Sequence, residues 1–174
     1  ETISGGMLAV MLSGMESAMA VNEPLTNKTL NVLGFTKKRT IANMGNMIKN
    51  GLIVCNPNPE NVAENVCIRA VTTFQGNNDL ISCEKSMVRE DLYMNRDLRN
   101  RYSIGIGRPN ESSTSSIIQT LKDAAREWAL SGYIVPKKSD NVWNIKVKIS
   151  GDKVFLTFSR YLTAPRNFVF ITAT

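Results

Sequence analysis

The feature that most restricts the fold lies near the end of the chain, where apolar and polar residues alternate through 142–149 and again through 153–161. Period-two alternation gives strands with one buried face, and Ser150, Gly151 and Asp152 between the runs are turn-formers. The spacing therefore predicts an antiparallel hairpin. A third apolar run, 167–172, follows Pro165 and reads as a short strand. Its aromatic and aliphatic side chains are costly to leave in water, so it must pair. It can fold back on its own hairpin, or it can add a strand to the sheet of a neighbouring copy. The proline-stiffened 162–167 segment permits both.

Upstream the pattern is helical. Met7, Met11, Met15 and Met19 stand four apart with Leu8 and Leu12 alongside, predicting a helix with a flexible apolar face that ends before Pro24. That face suits either a core or an adaptable protein contact. Residues 25–39 read as a short extended segment, a turn at Gly34 and a basic run, with Thr40 as the N-cap of a helix closed by Gly51 near Asn50. Strands are expected over 52–55 and 66–73, joined by a turn-rich loop. The segment 82–101 reads as an amphipathic helix with Val88, Leu92 and Leu98 on one face, though its first turn also suits a strand. Ile117, Leu121, Ala124, Ala125 and Trp128 line a later helix that stops at Gly132. The fold class is α+β, a mixed sheet flanked by helices with a C-terminal hairpin and a terminal strand arm.

Composition narrows the chemistry. The 174 residues contain no histidine, which removes Ser/His/Asp and Cys/His catalysis and the near-neutral proton shuttle. Cys55, Cys67 and Cys83 form no CxxC pair and no zinc spacing, so they read as buried reduced thiols in a protein made in a reducing compartment. Gly105 and Gly107 lack the third glycine of a dinucleotide loop and the Gly-Lys-Ser/Thr of a P-loop. The carboxylate pairs Glu90 with Asp91, and Asp123 with Glu127, are sequence neighbours or surface charges rather than an acid/base dyad. No cofactor or metal site is expected, and the chain is read as a non-enzyme. No apolar run reaches the roughly 20 residues that span a bilayer. Lys plus Arg number 21 against 15 Asp plus Glu, a net charge of +6 that favours an acidic partner without naming one. A nucleic-acid-binding module is the alternative reading, on Lys37, Lys38, Arg39 and the arginines of 89–101, but Glu90, Asp91 and Asp97 interrupt the basic stretch. Glu1 in first place suggests a fragment of a longer chain.

Several segments, in order, resemble the contractile tail sheath proteins of bacteriophages and related injection machines. LTNKTLNVLGF at 25–35 is similar to the family's connector after its first helix, NGLIVCN at 50–56 is a further match, and VCIRAVTTF at 66–74 resembles the family's strand ending in a Val-Thr-Thr type sequence. SMVREDLYMNRDLR at 86–99 and SSIIQTLKDAAREWALSGYI at 115–134 resemble its two later helices. GDKVFLTFSRYLTAPRNFVFITAT at 151–174 is similar to its terminal strand, Pro/Arg elbow and final apolar arm.

The resemblance implies one C-terminal core domain of a sheath subunit over residues 1–174, with an arm at 162–174. It implies a structural homo-oligomer of stacked rings forming a helical sheath around an inner tail tube protein, with a baseplate as further partner and neither nucleic acid nor membrane. The virion tail would be its location, and the host cytoplasm its place of assembly. The donated arm would be Phe168, Val169, Phe170 and Ile171, and its elbow Pro165 and Arg166. Lys122 and Arg126, one helical turn apart, are the candidate tube-facing cations.

Overall fold

The computed structural model describes residues 4–32, 39–58, 61, 63–74, 80–103, 114–136, 141–151 and 153–164. The chain gathers into two compact units, one of Glu1–Val88 with Ala164–Thr174, the other Arg89–Thr163.

In the first unit, helix α1 (Gly5–Ala18) starts where the Ser4 hydroxyl accepts the Met7 N–H at 3.3 Å, an N-cap satisfying an otherwise orphaned donor. Its one buried residue is Leu12; Leu8 and Met15, with Met19 at the C-cap, are half-buried and pack with it against Leu25, Leu30, Cys55, Cys67 and Ala70. Only half of the expected methionine face is used, since Met7 is exposed. Helix α2 (Ile41–Lys49) is capped by Thr40, whose hydroxyl accepts from the Asn43 N–H, and ends at Gly51 with φ +73°. A Cβ at Gly51 would lie 2.7 Å from Thr73 Cα and 2.8 Å from the Thr72 carbonyl, so the stop needs glycine for space as well as for conformation.

Strands β1 (Thr29–Leu30), β2 (Val54–Pro57) and β3 (Asn65–Arg69) form an antiparallel sheet in the order β1-β3-β2. Two strand boundaries differ from the sequence reading, and the second has a local cause. The first strand expected at 52–55 forms two residues later, and β3 is shorter than 66–73. Its ladder stops where the Ala70 N–H donates to the Thr26 hydroxyl instead of a neighbouring strand. Val71 then pairs singly with Glu84, which separates helix α3 (Leu80–Cys83) from α4 (Lys85–Ser103). Glu84 is buried and receives Arg69 Nη2 at 3.1 Å. The strand-like character allowed for the start of 82–101 is therefore confined to one residue.

The second unit packs most of α4, helix α5 (Thr114–Leu130) and the hairpin β4 (Trp143–Ser150) with β5 (Lys153–Ser159). Its core is Met94, Leu98, Leu121, Ala124, Ala125, Trp128, Ile134 and Val142. The five apolar residues expected to line α5 are its buried residues. On α4 the expectation fails at Leu92, which is exposed, while Glu90, Met94 and Leu98 are buried. The fold is α+β, as expected, and all described strand pairings are antiparallel. Gly34, Gly105, Gly107 and the expected 167–172 strand lie outside the described residues, as do Lys37 and Lys38.

Candidate assembly interface

The hairpin divides its side chains by the pleat. Ile145, Leu156 and Phe158 turn inward and pack against the α4/α5 core. Lys148 pairs with Phe155, Lys146 with Thr157 and Ser150 with Lys153, and these residues share the opposite, exposed face. Toward the turn the inward face outruns its core, leaving Ile149 and Val154 each about half exposed. Gly151 takes φ +60° at the turn. Among the described residues this sheet has two strands only, and neither β4 nor β5 pairs with a third strand along its outer edge. A lone hairpin is a marginal sheet in water, and this one is held by its inward face.

Its root is tied down firmly. Beyond β5, Ile134 and Leu162 form a single antiparallel bridge. The Val135 N–H donates to the Tyr161 carbonyl at 2.9 Å, and the Thr163 N–H donates to the Tyr133 carbonyl at 3.1 Å. The chain thus reaches residue 164 along a fixed path. Arg160 secures the same place from the side: its Nη2 donates to Asp91 and, at 3.3 Å, to Asn95 Oδ1. Its guanidinium lies over Phe158 at 5.1 Å and Trp128 at 5.6 Å from the ring centroids. An ion pair shielded by two aromatic faces loses less to solvent than an exposed one.

A second network joins α4 to α5. Asp97 Oδ2 accepts from Trp128 Nε1 at 2.8 Å and from Arg101 Nε at 2.9 Å, and Arg101 Nη2 reaches Glu127 Oε2 at 2.5 Å. The Arg101 hydrogen bond holds the Glu127 carboxyl below its usual range. Tyr102 donates to the Ile117 carbonyl at 2.8 Å. Glu90 differs from these paired acids. Its Oε2 is buried with no hydrogen-bond partner, and burial raises its pKa to about 8. Tyr93 and Tyr133, packed edge to face at 5.2 Å, lie in the same unit, and Tyr133 is raised by burial and by the charges of Tyr93 and Glu90.

Among the sequence candidates, Lys122 is half-buried and Arg126 exposed, one turn apart on α5. Pro165, Arg166, Phe168, Val169, Phe170 and Ile171 lie outside the described residues. Glu90 and Asp91, considered together from sequence, have separate surroundings: one is buried and unpartnered, the other holds Arg160. Asp123 accepts from Gln119 Nε2 while Glu127 binds Arg101, so that pair is also split. The sequence reading missed Arg160, hidden inside a run taken as strand; an arginine closing an otherwise alternating segment was the available signal. Among the described residues no group of three or more Cys, Asp or Glu side chains could hold a metal ion, and no helix is long and apolar enough to cross a membrane.

No protein-family model and no curated protein matches the sequence. Solved structures do match its fold. A chain in the six-fold symmetrised cryo-EM structure of the anti-feeding prophage baseplate superposes with a TM-score of 0.75 at 13% identity, covering 97% of this chain and 49% of that one. The crystal structure of the sheath tail protein from Desulfitobacterium hafniense gives 0.69 at 11% identity, over 92% of this chain and 41% of that one. The chain spans about half the length of the proteins it matches. It has a tail sheath-like fold.

Proposed function

We propose that this chain is the core domain of a tail sheath subunit, a structural protein that polymerises into a helical tube around an inner tail tube. The observation that carries this reading is the hairpin β4–β5, anchored at its root and open at both edges among the described residues, within a sheath-like fold. An extended segment from a neighbouring copy can add to such an edge. Main-chain hydrogen bonds then supply a sequence-tolerant tether while alternate side chains set the register. The donated segment is Phe168, Val169, Phe170 and Ile171, with Pro165 and Arg166 as its elbow. Head-to-tail donation of one surface to a different surface gives rings or open helices according to the rotation, which suits stacked rings in a sheath. Contraction in this reading repacks subunits while the tethers persist, with no catalytic group required. Lys122 and Arg126 are the residues proposed to face the inner tube, and the tail of a virion is the proposed location.

Negative-stain microscopy of the complete parent protein, beside a version lacking residues 166–174, tests the reading. Tubes from the intact protein alone are expected. Tubes from both would remove the arm from the account. The match to a baseplate structure favours a second reading, a sheath-fold subunit confined to the baseplate end of the tail. Rings that never elongate at any concentration would select it.

A further inference from the structure

Two of the three thiols meet across a strand pair. Cys55 on β2 and Cys67 on β3 are direct partners in the antiparallel register, and both are buried, at 4% and 0% exposure. The backbone identifies which kind of pair they form. The Cys67 N–H donates to the Lys28 carbonyl at 3.0 Å, and its carbonyl accepts the Asn27 N–H at 2.6 Å. Both polar groups of Cys67 therefore face away from β2. Cys55 and Cys67 consequently form a non-hydrogen-bonded pair, the class in which Cα atoms approach to about 4.5 Å and side chains stand closest. Disulfides bridge Cα separations of about 4.4–6.8 Å, a range that includes this class of pair, and the register shift between Val54 and Cys55 lies just before it. The thiols lie close enough for one to hydrogen-bond the other.

We propose that Cys55 and Cys67 are a redox modification site that a peroxide converts into a cross-strand disulfide stapling β2 to β3. In that step two S–H bonds break, one S–S bond forms, and the two sulfurs together give up two electrons and two protons. Hydrogen peroxide accepts them and leaves as two waters. The surroundings supply a nucleophile for the first half of the step. Cys55 lies beside the Arg39 guanidinium, which donates to the Cys55 carbonyl at 3.3 Å, and that positive charge favours a Cys55 thiolate. Cys67 keeps its proton, raised by its hydrogen bond with Cys55 and by burial. Cys55 is thus the sulfur that is oxidised first, and Cys67 the one that resolves it. Cys83, at the end of α3, is not a partner of either in the sheet register. The site goes beyond the sheath reading and does not depend on it.

The test oxidises the folded, reduced full chain with hydrogen peroxide, blocks remaining thiols with an alkylating reagent, and maps the linkages by mass spectrometry. The oxidised chain is expected to be lighter by two hydrogen atoms before alkylation, and after it to carry one cross-link between the Cys55 and Cys67 peptides and one alkyl group, on Cys83. Its Tm is expected to rise by several degrees, because the bridge removes freedom from the unfolded chain. In Cys67→Ser the intramolecular cross-link is lost and Cys55 stops at a trappable sulfenic acid. Alkylation of all three cysteines after oxidation of the wild type would overturn the proposal, and so would a linkage through Cys83.

Discussion

The two small sheets of this molecule are completed to different degrees. In β1-β3-β2 the central strand is flanked on both sides, and Asn65, Val66 and Cys67 are buried in succession. In β4–β5 the strands alternate half-buried and exposed positions, and neither has a second neighbour among the described residues. The difference does not reflect a weaker foundation. The hairpin's root is held by Arg160, by the bridge at Ile134 and Leu162, and by a core that includes the buried Trp128. Stability is concentrated at the base, and among the described residues neither edge has a further strand. Lys146, Lys148 and Lys153 on the exposed face discourage indiscriminate association, since charged edge strands resist pairing with chance partners.

Substitutions can separate these two properties. The largest effect is expected from Leu121→Ala, which opens a cavity at a fully buried site of the hairpin's core. It should lower the unfolding free energy by about 3 kcal/mol in urea denaturation and remove assembly with it. Gly51→Ala strikes the unit that holds the other sheet. Positive φ and the clash with Thr73 should cost about 2 kcal/mol, with no change in the hairpin's hydrogen exchange.

Glu90 gives a pH-dependent comparison. Because its folded pKa is raised to about 8, the folded state holds a proton that the unfolded state releases above the ordinary carboxylate range. Stability should therefore be full at acid pH and fall as pH climbs toward 8. Glu90→Gln should flatten that slope and, at pH 8, leave the protein about 1–2 kcal/mol more stable than wild type, read from thermal melts across pH. The smallest effect on folding is expected from Phe155→Ser. Its ring is about half exposed on the outer face, so stability should move by less than about 0.5 kcal/mol. In the sheath reading the same change should weaken polymerisation, measured by sedimentation.

Local signals in the sequence carried much of this. Thr40 and Gly51 bounded α2, the apolar spacing on α5 named its buried face, and the Ser-Gly-Asp turn set the hairpin. Features that depend on partners distant in sequence were not legible. On α4 the buried residues include Glu90 and leave out Leu92, so hydrophobicity placed Leu98 correctly and Leu92 wrongly. The two-residue β1 falls within the segment read as extended, but nothing local named its partner strand, and the order β1-β3-β2 depends on that pairing. The arginine clamp at Arg160 joins residues 69 positions apart, which no periodicity reports.

Amide hydrogen exchange on the complete parent protein, before and after polymerisation, addresses the hairpin edges most directly. The account predicts that amides along an outer edge of β4 or β5 gain strong protection on assembly, while those of β3 stay as they were. Unchanged exchange along both hairpin edges in a fully assembled sample would contradict it.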